Sequence, residues 1–518
     1  MKALQRTTIL FFCILFTASA SGQDLGRNLD KYWQYREKLV SQYMLIGDEP
    51  GYSLPASYIN PTLERMKWSD NTIWLGWYMG TLATEYHLLH NPRYEGYAIA
   101  DSARRRQENL NELYFALNAL IRLDATAETF FPSPCTNLPN QRNGFFIRDD
   151  VRASFTDSFP GYNFVDSDYE EHSFANEMSQ DQVYHVLLGL ALVKHFVPAT
   201  IVINAFNLHN EAVDEALLIG AWVHQDAWLI KNPVCANKNV DRGHDASLLA
   251  RGLNAALVYL SDGTVDYGSD VSSFGDLAWT NLATPSTFVT SDNLHMTMTL
   301  AAIGEGWGPT TLNSLVALAD TNKWFAYPLL YIALRDTNVV SNYTQHKPLI
   351  NFWADSMLNE APVGGPLSTY PNQNGHGYGV NNRFIRPRTS HYSGINPGEE
   401  GHQWNGLDYM LLHNLQLIVN PNKWPATEII DTTGIADISG WNANIYPNPT
   451  VGNVTLEVPS SFQGYVKFIN ASGKELLSEL LSQHTTQINV EAVPQGVYFV
   501  MFEGFNGWRH TQRLVILP

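Results

Sequence analysis

The chain has 518 residues, 45% hydrophobic and 12% aromatic, which is enough apolar side chain for a large core and too much for a disordered polymer. A formal net charge of −18 excludes nucleic acid and anionic membrane surfaces as main partners, since either would repel so acidic a chain. Length alone predicts about two to four domains.

At the N-terminus Lys2 and Arg6 precede an apolar run from Ile9 to Phe16, followed by Ala18, Ser19 and Ala20. This is the pattern of a secretory signal over residues 1–20, cut before Ser21. The run is too short to cross a bilayer and no later stretch reaches about 18 unbroken apolar residues, so no transmembrane segment is expected. Cys13 lies inside the run, which argues against a lipoprotein anchor. Loss of the signal takes the net charge to −20. Cys135 and Cys235 then remain; export permits a bridge contributing about 4–5 kcal/mol, and the sequence leaves open whether it forms. There is no Cys-x-x-Cys, His-Glu-x-x-His, P-loop or G-x-S-x-G signature, so neither metal nor cofactor is expected.

Helical periodicity follows at 29–45, 71–90, 101–123, 181–196, 210–222, 245–260, 293–303, 311–320, 324–335, 348–358 and 405–419. In the second of these Trp74, Trp77, Tyr78, Leu82, Tyr86 and Leu89 recur at helical spacing. No parallel-strand runs separate the helices, which disfavours a doubly wound α/β fold. Residues 21–430 therefore read as one mainly α domain, a closed ring of helical hairpins.

The helix mouths carry acids. Ser179 and Gln182 form a capping-box pair, so a helix starts near Gln180 with Asp181 in its first turn, where the macrodipole favours negative charge by about 0.3–1 kcal/mol. That alone explains Asp181 as punctuation. Yet Asp70, Asp245 and Asp292 stand at equivalent mouths, and Asp70, Asp181 and Asp292 are 111 residues apart, the spacing of a repeat. If alternate helices line a ring in parallel, these acids converge on one rim. A glycoside-cleaving site needs such a pair, about 5 Å apart for retention or about 6.5–9.5 Å for inversion. Asp181 and Asp70 are accordingly the acid/base candidates, with Glu177 and Asp408 in reserve.

The stretch Glu177-Met178-Ser179-Gln180-Asp181-Gln182 running into the Leu187–Val193 helix, with Asn405 to Leu415, resembles the (α/α)6 toroid class of secreted six-hairpin glycosidases and related polysaccharide lyases. The resemblance is architectural, so it transfers no catalytic residue. It implies a carbohydrate-active enzyme, hydrolase ahead of lyase, acting on a polysaccharide.

Residues 374–409 are rich in Gly, Pro and Asn and read as a long functional loop. Arg383, Arg386 and Arg388 lie there; arginine forks match carboxylate or sulfate groups, although pairing with Glu399 and Glu400 is the plainer use. Arg383, His391, Tyr392 and His402 are the substrate-binding candidates, and His391 with Tyr392 supplies a base and an acid for β-elimination. Trp77, with Trp68, Trp74 and Tyr78, either stacks on sugar faces or fills the core. The acid-rich stretch 144–174, with Asp149, Asp150, Asp166, Asp168, Glu170 and Glu171, reads as a solvated loop, with calcium binding the lesser alternative because no spacing matches an EF-hand.

Composition shifts near residue 430. A linker at 431–440 leads into alternating runs at 453–458, 464–470, 474–480, 486–490, 496–502 and 510–516, which predict a small antiparallel β-sandwich over 441–518. The fold class expected for the whole chain is thus mainly α, an (α/α)6-like helical toroid followed by this sandwich. The tail's motifs are Tyr446-Pro447-Asn448-Pro449-Thr450 with Gly452, Ala471-Ser472-Gly473-Lys474, and Val493-Pro494-Gln495-Gly496-Val497-Tyr498-Phe499-Val500. They resemble the type A C-terminal sorting domain of type IX secretion cargo. The resemblance implies type IX machinery as a partner and a product released from, or attached to, the outer cell surface. The alternative function is a non-catalytic glycan- or protein-binding toroid displayed there.

Overall fold

The computed structural model describes residues 25–424 and 443–516, apart from 62–63, 69, 100, 132–140, 159–163, 168, 170–175, 234–238, 241–249, 273–290, 305–309, 323, 336–339, 341, 362–366, 369–402, 449, 459–463, 471–474, 482, 492 and 505–508. The chain divides into two units, Met1–Thr427 and Glu428–Pro518.

The first unit is mainly helical. Its principal helices are α1 (25–38, continued by a π turn at Leu39–Tyr43), α2 (Asn71–His90), α3 (Ser102–Ala125), α4 (Gln180–Phe196), α5 (Leu208–Gln225), α6 (Ala250–Leu260), α7 (Ser291–Ile303), α8 (Thr311–Asn322), α9 (Ala326–Ala333), α10 (Tyr343–Glu360) and α11 (Leu407–Val419). Periodicity started the tenth helix at Pro348, whereas the helix begins at Tyr343 with Pro348 inside it. A proline this near the start forfeits only the bond from its own missing N–H, and the turn before it survives.

Burial sorts these helices into two sets. In α2 only His87 and His90 escape full burial, and α4 and α11 are nearly as covered, as helices apolar on every face must be. Helix α3 instead buries one stripe through Leu113, Ala116, Leu117, Leu120 and Leu123. Among the described residues, α2 packs on α4, α4 on α7, α7 on α9, α9 on α11, and α11 back on α2. Helices α3, α5, α6, α8 and α10 each pack against one or more members of that set.

Helix α1 joins α2, α3 and α11 through buried charge. Arg36 Nε donates to Glu85 Oε2 at 2.7 Å and Arg36 Nη2 to Glu112 Oε1 at 3.1 Å. The hydroxyls of Tyr32 and Tyr78 donate to Glu85 and Glu112 at 2.5 Å each, and Asn414 Nδ2 donates to the Tyr32 oxygen at 3.2 Å. One guanidinium thus serves two carboxylates whose remaining oxygens are bonded, the condition under which buried ions are tolerated.

The helical unit also holds strands that the sequence did not announce: β1 (Tyr58–Asn60), β2 (Arg65–Lys67), β3 (Phe164–Asp166), a β4 (Val202–Ile203) and β5 (Phe206–Asn207) hairpin, β6 (Leu367–Ser368) and β7 (Gln403–Trp404). Five of them form one sheet in the order β3-β2-β1-β7-β6, with β2 and β3 parallel and the other pairs antiparallel. Strands of two or three residues are too short for an alternation to register. Strands β2 and β7 run directly into the starts of α2 and α11, so the sheet fixes where both helices begin.

In the second unit the strands are β8 (Asn444–Tyr446), β9 (Asn453–Glu457), β10 (Gly464–Asn470), β11 (Glu475–Leu481), β12 (Thr485–Asn489), β13 (Gly496–Gly504) and β14 (Arg509–Ile516). They make an antiparallel sheet β11-β10-β13-β14 and a second, β12-β9-β8. Val454 and Leu456 of the second sheet share one apolar cluster with Val466, Phe468, Val500, Phe502 and Leu514 of the first.

Candidate functional site

Helices α2 and α4 touch backbone to backbone. A Cβ on Gly76 would lie 2.1 Å from the His185 carbonyl oxygen, and one on Gly189 2.3 Å from that of Gly76, so only glycine fits at either place. Contacts step in one direction along both helices, from Trp77 against His185 to Gly80 against Leu188 and Leu192, so the two run parallel. Helix α11 runs the same way beside α2: Trp74 meets Trp404 with ring centroids 6.1 Å apart, and further along Asn414 Nδ2 donates to Thr84 Oγ1 at 3.2 Å. The starts of α2, α4 and α11 therefore share one rim.

Across that rim lies the segment 142–151. Arg148 N and Asp149 N donate to Asn176 Oδ1 at 3.0 and 3.1 Å, and Asn176 Nδ2 returns a bond to the Asp149 carbonyl at 3.1 Å. The Arg148 side chain turns inward. Its Nε donates to the Glu177 carbonyl at 2.7 Å and its Nη1 stands 3.9 Å from Asp70 Oδ1. Asn71 Nδ2 donates to the Arg148 carbonyl at 3.3 Å, and Asn232 Nδ2 to Glu177 Oε1 at 2.9 Å. Arg148 and Glu177 are buried, whereas the Asp70 side chain is 27% exposed. One guanidinium thus gathers the mouth of α2 and the residue that leads into α4.

Arg148 was missed because it sits in a stretch read as a solvated acidic loop. That reading is corrected at Asp149 and Asp150, both buried. Asp149 Oδ1 accepts from Ser167 Oγ at 2.6 Å and from Val151 N at 3.0 Å; Asp150 accepts from Gly51 N at 2.7 Å and from Arg122 Nε at 2.6 Å. Carboxylates bonded this fully can leave water. The available signal was the pattern Phe145-Phe146-Ile147-Arg148, an apolar run that solvent would not keep.

Asp181 sits in the first turn of α4 within the Ser179/Gln182 capping box. Its Oδ1 accepts from the Ser179 hydroxyl and, at 3.0 Å, from Gln182 N, while Ser179 N donates to Gln182 Oε1 at 3.1 Å. Asp408 occupies the first turn of α11 and is 1% exposed. One of its oxygens accepts from Tyr409 N at 2.8 Å and the other takes no protein hydrogen bond. Burial pushes its carboxyl up to about 7, so it keeps a proton close to neutral pH.

Trp77 is buried, and its indole N–H donates to His185 Nδ1 at 3.1 Å. His185 Nε2 in turn lies 2.9 Å from His295 Nδ1, with the two rings stacked. Indole only donates, so in neutral rings His185 accepts at Nδ1 and donates from Nε2 to His295. This chain joins α2, α4 and α7 below the rim. Asp292 is the second residue of α7, with its side chain outside the described residues. Arg383, His391, Tyr392 and His402 lie outside them too, as do Asp245, Cys135 and Cys235. Among the described residues no three His, Cys, Asp or Glu side chains gather to hold a metal ion, and no helix is long and apolar enough to cross a membrane.

Comparison with known proteins bears on the second unit. Residues 444–517 match the secretion system C-terminal sorting domain. No curated protein and no solved structure matches the chain. The sorting domain marks this protein for export by type IX secretion to the cell surface or the extracellular space.

Proposed function

We propose that the helical unit is a toroid of helical hairpins acting outside the cell as a carbohydrate-active enzyme, a glycoside hydrolase ahead of a polysaccharide lyase, with the tail a small β-sandwich read by the export machinery. The observation that carries the reading is the Arg148 bridge between Asp70 and Glu177 on a rim shared by parallel helix starts. Asp70, the carboxylate that solvent reaches, takes the role of base or nucleophile, and Arg148 orients it. Asp408, protonated near neutrality, takes the role of proton donor; two acids with environments this different can divide the two roles. Asp181 holds the start of α4 in register, and Glu177 anchors the segment that brings Arg148.

The mature protein is tested against neutral and uronate-containing polysaccharides, with reducing ends and ultraviolet absorbance read together. New reducing ends alone mean hydrolysis; both signals rising mean elimination. Asp70→Asn is expected to lower turnover by about 10²–10⁴, the size of a lost acid/base group. Full activity in that variant would sink the assignment.

A non-catalytic glycan- or protein-binding role is the second reading, favoured by the bonds that already occupy Asp181 and Glu177. It predicts saturable binding without product, retained in Asp70→Asn.

A further inference from the structure

One sheet of the tail is apolar on both sides. Val466 and Phe468 of β10, Leu481 of β11, and Tyr498, Val500 and Phe502 of β13 belong to the cluster shared by the two sheets. Their neighbours along each strand point away from that cluster, where water ordinarily selects polar residues. Here they are Tyr465, Lys467 and Ile469 on β10, Leu476, Ser478 and Leu480 on β11, and Phe499 and Met501 on β13.

Register makes these residues one surface. Tyr465 stands opposite Leu480 and Ile469 opposite Phe499, while Lys467 has Ser478 on one side and Met501 on the other. Tyr465, Leu476, Leu480 and Phe499 are 43%, 38%, 53% and 47% exposed. Among the described residues nine large apolar side chains are exposed, and these four share a single sheet face, a concentration that marks a contact surface and not the usual scatter. The core lies on the other side of the sheet, so the fold itself does not call for them.

The chemistry of the face selects its occupant. Tyrosine, phenylalanine and methionine among aliphatic neighbours are the composition of a protein–protein contact. Lys467, half-buried in the middle, sets the partner's sign, because covering an ammonium group requires a carboxylate opposite it. A second copy docked face to face about a two-fold axis would instead bring Lys467 toward its own image, like charge against like.

We propose that this face of the β11-β10-β13-β14 sheet is where the export machinery reads the tail, and that it receives an apolar protein surface with a carboxylate set against Lys467. The proposal rests on the sorting role of the tail and is independent of the chemistry at the rim.

The test is export of the full-length chain from a host with type IX secretion, the helical unit being detected by antibody in the periplasm and in the surface and medium fractions. Wild type is first compared with the same chain in a host mutant lacking the pathway, so that failure of the sorting role is told apart from failure of the face. Export without the pathway would end the sorting reading and the proposal with it. Tyr465→Thr, Leu480→Thr and Phe499→Thr together should lower the exported share about tenfold or more, the loss expected of interface anchors. Threonine keeps strand propensity and the replaced groups face water, so the tail of the purified variant should resist protease as wild type does. Lys467→Glu should lower export as well, whereas Lys467→Arg should keep it. Gln487→Ser, at an exposed position of β12 in the other sheet, should leave it unchanged. Wild-type export of the triple variant or of Lys467→Glu would overturn the proposal, and if the triple variant unfolds, Lys467→Glu decides alone. A dimer of the purified mature protein that the triple variant dissolves while still being exported would assign the face to a second copy and overturn the proposal too.

Discussion

The two units bury different chemistry. Among the described residues of the tail, Thr450 is the one polar side chain taken fully out of water; the core there is Val, Leu, Ile, Phe, Tyr and Ala. The helical unit buries Arg36, Glu85, Glu112, Asp124, Glu177, Glu215, Asp408, His185 and His295. Removing a charge from water costs several kcal/mol unless partners replace the hydration, so a unit that does so repeatedly has placed those groups at a cost in stability. A sorting signal can be assembled from strand ladders and apolar packing alone. A rim that holds Asp70 against Arg148 needs ions fixed inside the fold.

The largest expected effect breaks the helical unit at its most charged point. Arg36→Ala leaves Glu85 and Glu112 buried without their guanidinium and should cost about 3–5 kcal/mol. Urea denaturation followed by tryptophan fluorescence reads it, and a loss under about 1 kcal/mol would mean that the network contributes little. Gly76→Ala comes next. Its new methyl meets backbone on α4 and cannot be relieved by a side-chain rotation, so about 1–3 kcal/mol or more is expected. An unperturbed variant would show that α2 and α4 have room between them.

Asp408→Asn separates structural cost from chemical use. The folded carboxyl titrates near 7 against an ordinary 3.8, so the folded chain holds a proton that the unfolded chain releases, and stability falls as pH rises between those values. Asparagine cannot ionise. The variant should therefore gain on wild type as pH rises, by at most about 4 kcal/mol at pH 8, the roughly three units between 3.8 and about 7 at about 1.4 kcal/mol per unit. If Asp408 is the proton donor, the same variant loses turnover while gaining stability, a pairing expected of site residues and not of core residues. The tail's counterpart is Thr450→Val. It removes one hydrogen bond, from Thr450 Oγ1 to the Asn453 carbonyl at 2.8 Å, and should cost about 1 kcal/mol with no pH dependence.

The same contrast governs what the sequence reveals. Six of the tail's strands, β9 to β14, lie within two residues of their alternating runs because one face of each is apolar and glycines mark turns between them, whereas β8, three residues long, had no run to announce it. The long helices were legible for a similar local reason: α2 is apolar at spacing no strand would use. The rim was half legible. Asp70, Asp181 and Asp408 announce themselves as acids at helix starts, which is local information. Arg148 does not, because its partners Asp70 and Glu177 come from other elements. Two- and three-residue strands leave no periodic trace, so the sheet that fixes where α2 and α11 begin was invisible as well.

Asp181→Asn has the smallest expected effect and settles the oldest question that the sequence poses. As helix punctuation, the carboxylate accepts from the Ser179 hydroxyl and from Gln182 N and sits at the positive end of the α4 dipole. Asparagine keeps an accepting oxygen and loses only the charge, so the loss should be about 0.3–1 kcal/mol. Stability alone therefore cannot distinguish punctuation from chemistry, and turnover must be read beside it. If turnover survives with Asp70→Asn inactive, the rim chemistry belongs to Asp70 and Arg148, and the aspartates at the other helix mouths are caps. If both variants are silent at near-wild-type stability, the repeated aspartates form one catalytic set, and Asp292 on α7 becomes the next residue to replace.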